Sequence, residues 1–257
     1  MPEITRHEPG SHCWSELATS DPTAAKAFYN SLFGWDAEDT PAGPDMVYTL
    51  LRLRGQDVAA LYKQDKVEAE HGVPPHWNVY IAVESADASA ARARELGGKV
   101  LMEPFDVMEH GRMAIVQDPT GGTICAWQAR KHIGARVVRE PGSACWVELY
   151  TSDTGKAASF YSQLFGWKAK ESPGYTEFYL GDQGVGGMMA IDPTWGPVPS
   201  HWIVYFQVAD LDAAAAKARS LGGKLRVEPR DVGEVGRFAI PLDPQGAEFA
   251  LIRLDRA

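Results

Sequence analysis

Glu16 and Glu148 stand at matched places in a sequence that repeats itself, in CWSELATSD and CWVELYTSD, each two positions after a tryptophan, Trp14 and Trp146. Residues two apart on a strand share a face, so each carboxylate lies beside an indole. A carboxyl group in such apolar company has a raised pKa and suits a general base acting on a carbon acid. The structural alternative is a carboxylate that accepts hydrogen bonds from strand or helix ends or from a linker. Trp14, Trp146 and Trp127 offer a planar ligand flat, apolar contact, with Tyr80, Tyr150 and Tyr205 as polar handles. Cys125 is the one thiol expected on that face. As a nucleophile it needs an activating base, for which His76 is the candidate, and the second copy has Ala250 in its place.

These residues must be carried by equivalent elements, because the whole 257-residue chain is duplicated. HEPGS and REPGS, FY-xx-LFGW, HWNVY and HWIVY, LGGK, and D-P-x-G each occur twice, and the spacing falls from 132 residues at Trp35 and Trp167 to 125 at His76 and His201. Alternation over 144–150 turns Cys145, Val147 and Leu149 toward a helix, with Cys13 read likewise, and leaves Ala144, Trp146, Glu148 and Tyr150 on the other face. The helix that follows has Asp153 as N-cap, Ala157, Phe160 and Leu164 at helical spacing and Gly166 as its stop; Asp21, Pro22 and Gly34 do the same in the first copy. Strand-like runs follow at 47–53 and 58–62, and at 176–180 and 186–191. The order then restarts with a strand over 76–83, an Ala-rich helix over 87–96 and further runs near Val100, Ala114 and Ile124. Two strand-helix-strand-strand-strand units per half make an α+β protein. The expected division is 1–128, a linker 129–142 carrying four Lys/Arg residues, and 143–257, each half folding independently. Trp35, Trp167, Trp77 and Trp202 are expected in the cores, and Trp195, in a loop with three prolines, as a lid or a hydrophobic plug.

A hydrophobic content of 45% with 23% charged residues is that of a globular protein. A net charge of -9 without a basic run argues against nucleic acid or an anionic membrane as partner. No signal-peptide pattern or spanning apolar run is present, so a cytoplasmic location is expected, and three cysteines without CxxC spacing are expected to be reduced.

The pattern W-x-E-L-x-T-x-D, A-x-x-FY-xx-LFGW, D-x-x-A-x-x-x-A-x-x-LGGK, E-P-x-D-V, G-R-x-A and D-P-x-G resembles the vicinal oxygen chelate superfamily of glyoxalases, bleomycin-resistance proteins and extradiol dioxygenases. More narrowly, it is similar to two-domain actinobacterial glyoxalase-like proteins. The resemblance covers nearly the whole chain. It implies tandem glyoxalase-like domains, each of two βαβββ modules in a curved mixed sheet with helices outside, around a cup for a metal or an organic ligand. Carried over residue by residue, the family's metal-ligand positions fall on Trp14 and Trp146, Asn78 and Ile203, Cys125 and Ala250, and near Leu61 and Met188, none of which forms a ligand set. A shifted site remains open, with His76 and Glu16 in the first half, His201 and Glu148 in the second, and Glu248 or His12 adding a third donor for zinc, iron, manganese or nickel. Against it, the two histidines at strand starts can instead hydrogen-bond a loop.

Two classes of function follow. One is a metal-free, cofactor-free binding protein that holds planar or amphipathic small molecules in aromatic-lined cups, with Trp14, Asn78, Tyr80, Cys125, Trp127, Trp146, Tyr150 and Tyr205 as the lining. The other is a lyase, isomerase or dioxygenase using the shifted metal site, or Glu16 or Glu148 as base. The expected partner is a small molecule, and the chain a monomer or homodimer.

Overall fold

The computed structural model describes residues 4–43, 46–70 and 72–255. The first half runs β1 (His12–Thr19), α1 (Pro22–Phe33), β2 (Asp36–Gly43), β3 (Met46–Leu53), β4 (Gln56–Lys63), a short α2 (Lys66–Glu70), β5 (His76–Ala82), α3 (Ala86–Glu95), β6 (Lys99–Val107), β7 (Gly111–Gln117) and β8 (Thr123–Ala129). The second half runs β9 (Ala144–Thr151), α4 (Thr154–Phe165), β10 (Lys168–Ser172), β11 (Tyr175–Leu180), β12 (Gln183–Ala190), β13 (His201–Gln207), α5 (Leu211–Ser220), β14 (Lys224–Val232), β15 (Gly236–Leu242) and β16 (Ala250–Leu254). Each half is one eight-stranded mixed sheet, ordered β2-β3-β4-β1-β5-β8-β7-β6 and β10-β11-β12-β9-β13-β16-β15-β14. Parallel β1/β4 and β5/β8 pairs close the two βαβββ modules of the first half, and the antiparallel β1/β5 pair joins them. The tandem α+β architecture is therefore as expected. Among the described residues no helix is long and apolar enough to cross a membrane.

Local chemistry fixes the helices. The Asp21 carboxylate accepts from the N–H groups of Thr23 and Ala24, Asp153 from Lys156, and Gly34 and Gly166 end α1 and α4 in the left-handed region, at φ 74° and 73°. The buried faces of these helices do not serve one half alone. A single apolar core runs through both, joining Phe28 and Tyr29 of α1 to Phe206 and Phe249, and Phe160 and Tyr161 of α4 to Ile124 and Val116. The helices cover the convex faces of the sheets, and these faces meet at the centre of the molecule.

The duplicated motifs meet there too. Trp77 donates through Nε1 to the Tyr29 hydroxyl (3.1 Å), which donates to Asp243 in the D-P-x-G turn of the other half (3.0 Å). Trp202, Tyr161 and Asp118 repeat the chain in reverse, at 2.9 and 2.7 Å. Trp35 donates to the Gly142 carbonyl and Trp167 to that of Gly10, both at 2.7 Å. One core and reciprocal hydrogen bonds thus join the two halves that the sequence reads as separate units.

Cys13 and Cys145 also differ from expectation. Register shifts in the β1/β5 and β9/β13 pairs reset the alternation beside them, so both cysteines pack with the cup-side clusters rather than under the helices. Their Sγ atoms lie 3.4 and 3.5 Å from the carbonyls of Tyr80 and Tyr205. The edge strands β2 and β10, almost wholly exposed, carry no alternating burial and have no signature in the sequence.

Candidate functional site

On the concave face of the first sheet, β1 places Glu16 between two tyrosines. Tyr80 of β5 donates to its carboxylate at 2.5 Å, Tyr48 of β3 donates to the other oxygen, and Trp14 Nε1 lies 3.2 Å from that oxygen and 3.1 Å from the Tyr48 hydroxyl. The second half rebuilds the cluster. Tyr175 and Tyr205 donate to Glu148 at 2.6 and 2.8 Å, Tyr150 lies beside them, and Trp146 donates to Tyr175 at 3.0 Å. Burial raises the pKa of both carboxyl groups, against the opposing pull of these hydrogen bonds. Burial also raises the tyrosines, beside the carboxylates, so they stay protonated donors.

The two cups close differently. In the first, Asn78 donates to Tyr62 at 3.1 Å, and Cys125, Trp127, Met113 and Ala60 pack around Tyr80. The segment after β8 packs on the outer side of the first-cup tryptophans: the His132 ring stands edge-on to Trp14 with centroids 4.6 Å apart, Trp127 Nε1 donates to the His132 carbonyl, and the Ala135 N–H reaches the Cys13 carbonyl at 2.8 Å. Trp14 is left 2% exposed and Trp127 5%. The second cup is walled by Ile203, Phe238, Ile240, Ala250 and Ile252. Trp195 stands edge-on to Tyr150 at 5.2 Å with the Arg226 guanidinium 5.5 Å from its indole. His201 lies against Tyr150 at 5.3 Å, and its buried Nε2 has no hydrogen-bond partner.

The residues do not fit the divalent cation that the family resemblance implies. Indoles occupy the β1 and β9 positions, Asn78 and Ile203 the β5 and β13 positions, and Cys125 and Ala250 the closing ones, while Leu61 and Met188 face the helix-side core instead of the cup. The shifted set is not brought together. His76 and His201 turn Nδ1 to the carbonyls of Pro74 and Pro199 at 2.9 and 2.8 Å, Glu248 pairs with Arg226 at 2.6 Å, and His12 bonds Ser15 at 2.9 Å. Among the described residues no three His, Cys, Asp or Glu side chains form a metal cage. Cys125 lies opposite Tyr80 rather than beside His76, and burial pushes its thiol up, away from a nucleophilic thiolate.

Sequence reasoning brought Glu16, Trp14 and Tyr80 together, and Glu148, Trp146, Tyr150 and Tyr205. It missed Tyr48, Tyr62 and Tyr175. The available signal was the Tyr-Thr pair at 48–49 and 175–176, which recurs at the same place in both copies.

Residues 11–126 and 143–251 match the family described as the Glyoxalase/Bleomycin resistance protein/Dioxygenase superfamily. The chain is 42% identical over 259 residues to the "Putative glyoxylase CFP32" of Mycobacterium tuberculosis, covering 98% of both chains. It is 37% identical over 268 residues to the "Anthracycline biosynthesis protein DnrV" of Streptomyces peucetius, covering 98% of this chain and 96% of that one. In fold it is similar to the Mn(II)-bound glyoxalase of Novosphingobium aromaticivorans, with TM-score 0.66 and 16% identity over 95% of this chain and 82% of that one. The 2,3-dioxygenase LapB of Pseudomonas sp. KL28 gives the same TM-score at 12% identity, covering 98% and 93%.

Proposed function

The chain belongs to the Glyoxalase/Bleomycin resistance protein/Dioxygenase superfamily, and from that premise we propose that it is a metal-free small-molecule binding protein whose second cup holds planar, hydroxylated aromatic ligands. The observation that carries this is the Glu148 carboxylate, which accepts from the Tyr175 and Tyr205 hydroxyls, with Tyr150 beside it, in an otherwise apolar cup. Apolar walls with a few convergent polar groups are the make-up of a ligand pocket. A ligand hydroxyl can join the carboxylate–tyrosine cluster, and the buried, unpartnered His201 Nε2 beside Tyr150 supplies a further polar contact. Trp195, packed on Tyr150, acts as the lid. A relative named for anthracycline biosynthesis supports a small-molecule ligand of this kind.

The test is calorimetric titration with a hydroxylated anthraquinone. Saturable binding is expected, weakened roughly tenfold or more in Glu148→Gln and Tyr205→Phe, the loss of a hydrogen bond to a charged group. Absence of saturable binding, or affinity indifferent to both substitutions, overturns the proposal.

The raised pKa of Glu148 favours a second reading, proton abstraction from a bound carbon acid. That reading expects the ligand's acidic C–H to exchange in deuterated water with wild-type protein and not with Glu148→Gln. Binding without exchange leaves the first reading standing.

A further inference from the structure

The two halves carry the same surface on the outer side of their cup tryptophans, and they treat it differently. In the first half, Cys13, Trp14, Asp57 and Val58 are covered by the chain after β8: Ala135 bonds the Cys13 carbonyl, Arg136 N–H bonds the Asp57 carbonyl at 2.8 Å, and His132 lies edge-on to Trp14. In the second half the matching Cys145, Trp146 and Val185 floor a cavity of about 230 Å³, bounded by the N-terminal segment and by Val138 and Arg139. Trp146 is half-buried there, where Trp14 is fully covered.

The walls are selective. His7 and His12 are kept neutral by burial, His12 pushed down to about 3, so they contribute ring edges and no charge at neutral pH. Arg6, Arg139 and Glu8 are the charged residues of the lining, two cations against one carboxylate. Arg139 holds a left-handed backbone, φ 59°, which a side-chain-bearing residue adopts at a cost, and its guanidinium donates to the Gly184 carbonyl at 2.8 Å. Arg139 and Trp146 line the same cavity, and a Cβ added at Gly184 would meet the Trp146 ring at 3.2 Å, so the strand that anchors the guanidinium also packs on the indole. A cavity of this size, open to solvent on one side, has room for one aromatic ring or a fused pair.

We propose that this cavity is a second ligand site, distinct from the cups, for a small aromatic carboxylate whose ring packs against Trp146 and whose anion meets Arg139. His132 on Trp14 is the internal counterpart: a flat ring held by the chain itself where the second half leaves the place to a ligand.

The probe is 1-naphthoate, titrated calorimetrically, with uncharged 1-naphthamide for comparison. Saturable binding of the acid is expected, weakened about fivefold in Arg139→Gly, because the charge is at a solvent-exposed rim, while the amide binds both proteins alike. Glycine suits the left-handed backbone, so Arg139→Gly removes the cation without straining the fold. Trp146→Phe is expected to weaken both probes. The inference fails if 1-naphthoate shows no saturable binding, if Arg139→Gly binds it as tightly as wild type, or if Glu148→Gln in the cup weakens it as much as Arg139→Gly does.

Discussion

An enclosed carboxylate must recover from its neighbours what it loses in water, and for Glu148 those neighbours are hydroxyls, with no cation among the hydrogen bonds it accepts. The balance leaves its pKa raised above 4.5. Between the unfolded value and the raised folded one, the native state keeps a proton that the unfolded chain has lost, so the group's contribution to stability falls as pH rises through that window. Glu148→Gln removes the dependence. Its denaturation midpoint relative to wild type is expected to rise between pH 5 and pH 8, measured by urea unfolding at both pH values, and a difference that stays constant would disprove the assignment. Glu148 and Trp146 were legible in the sequence because they sit two apart on one strand. Tyr175 was not, since it reaches the cluster from β11, and the β11-β12-β9 pairing that brings it there is set by the folded sheet and not by local spacing.

At the level of elements, the repeated LGGK run shows how a motif can be visible without its reason being so. Gly98 follows α3, and a Cβ there would stand 2.6 Å from the Gln117 carbonyl and 2.7 Å from the Phe160 ring of α4, in the other half. At Gly223 the equivalent atom meets the Leu242 and Ala218 carbonyls at 2.8 and 2.9 Å and the Phe28 ring at 3.3 Å. The glycine therefore allows a helix of one half to approach the strand end of the other. Gly98→Ala is expected to cost about 1–3 kcal/mol, the range of overpacked sites, read as a lowered melting temperature; an unchanged value would mean that the backbone shifts freely there. Capped helices and alternating strands were readable because their signals are local. β2 and β10 were not, because an edge strand exposed on both faces is held by backbone pairing alone, and the bulges beside Cys13 and Cys145 reversed an alternation that the residues themselves suggested.

For the whole molecule, duplication reads at first as a licence for two separate domains, and the packing joins them through one core. FY-xx-LFGW of each half supplies a tyrosine to the D-P-x-G aspartate of the other half and a tryptophan to the glycine of the other's E-P-G-S run. Repetition of these motifs thus reflects the two sides of one interface with pseudo-twofold symmetry, which a reading of each half by itself has no means to see. Phe206, Phe249, Phe160 and Tyr161 all belong to the shared core, and separating the halves returns much of it to water. Residues 143–257 expressed alone are expected to lack a cooperative thermal transition and to show little near-ultraviolet circular dichroism, while the full chain unfolds in one step. Tyr29→Phe provides the graded form of the same test: Asp243 loses its cross-half donor, and a cost of about 1–3 kcal/mol follows from a buried acceptor left short of a partner. An isolated second half that melts cooperatively near the temperature of the full chain would place the stability within each sheet and reduce the tyrosine–aspartate pairs to contacts between finished domains.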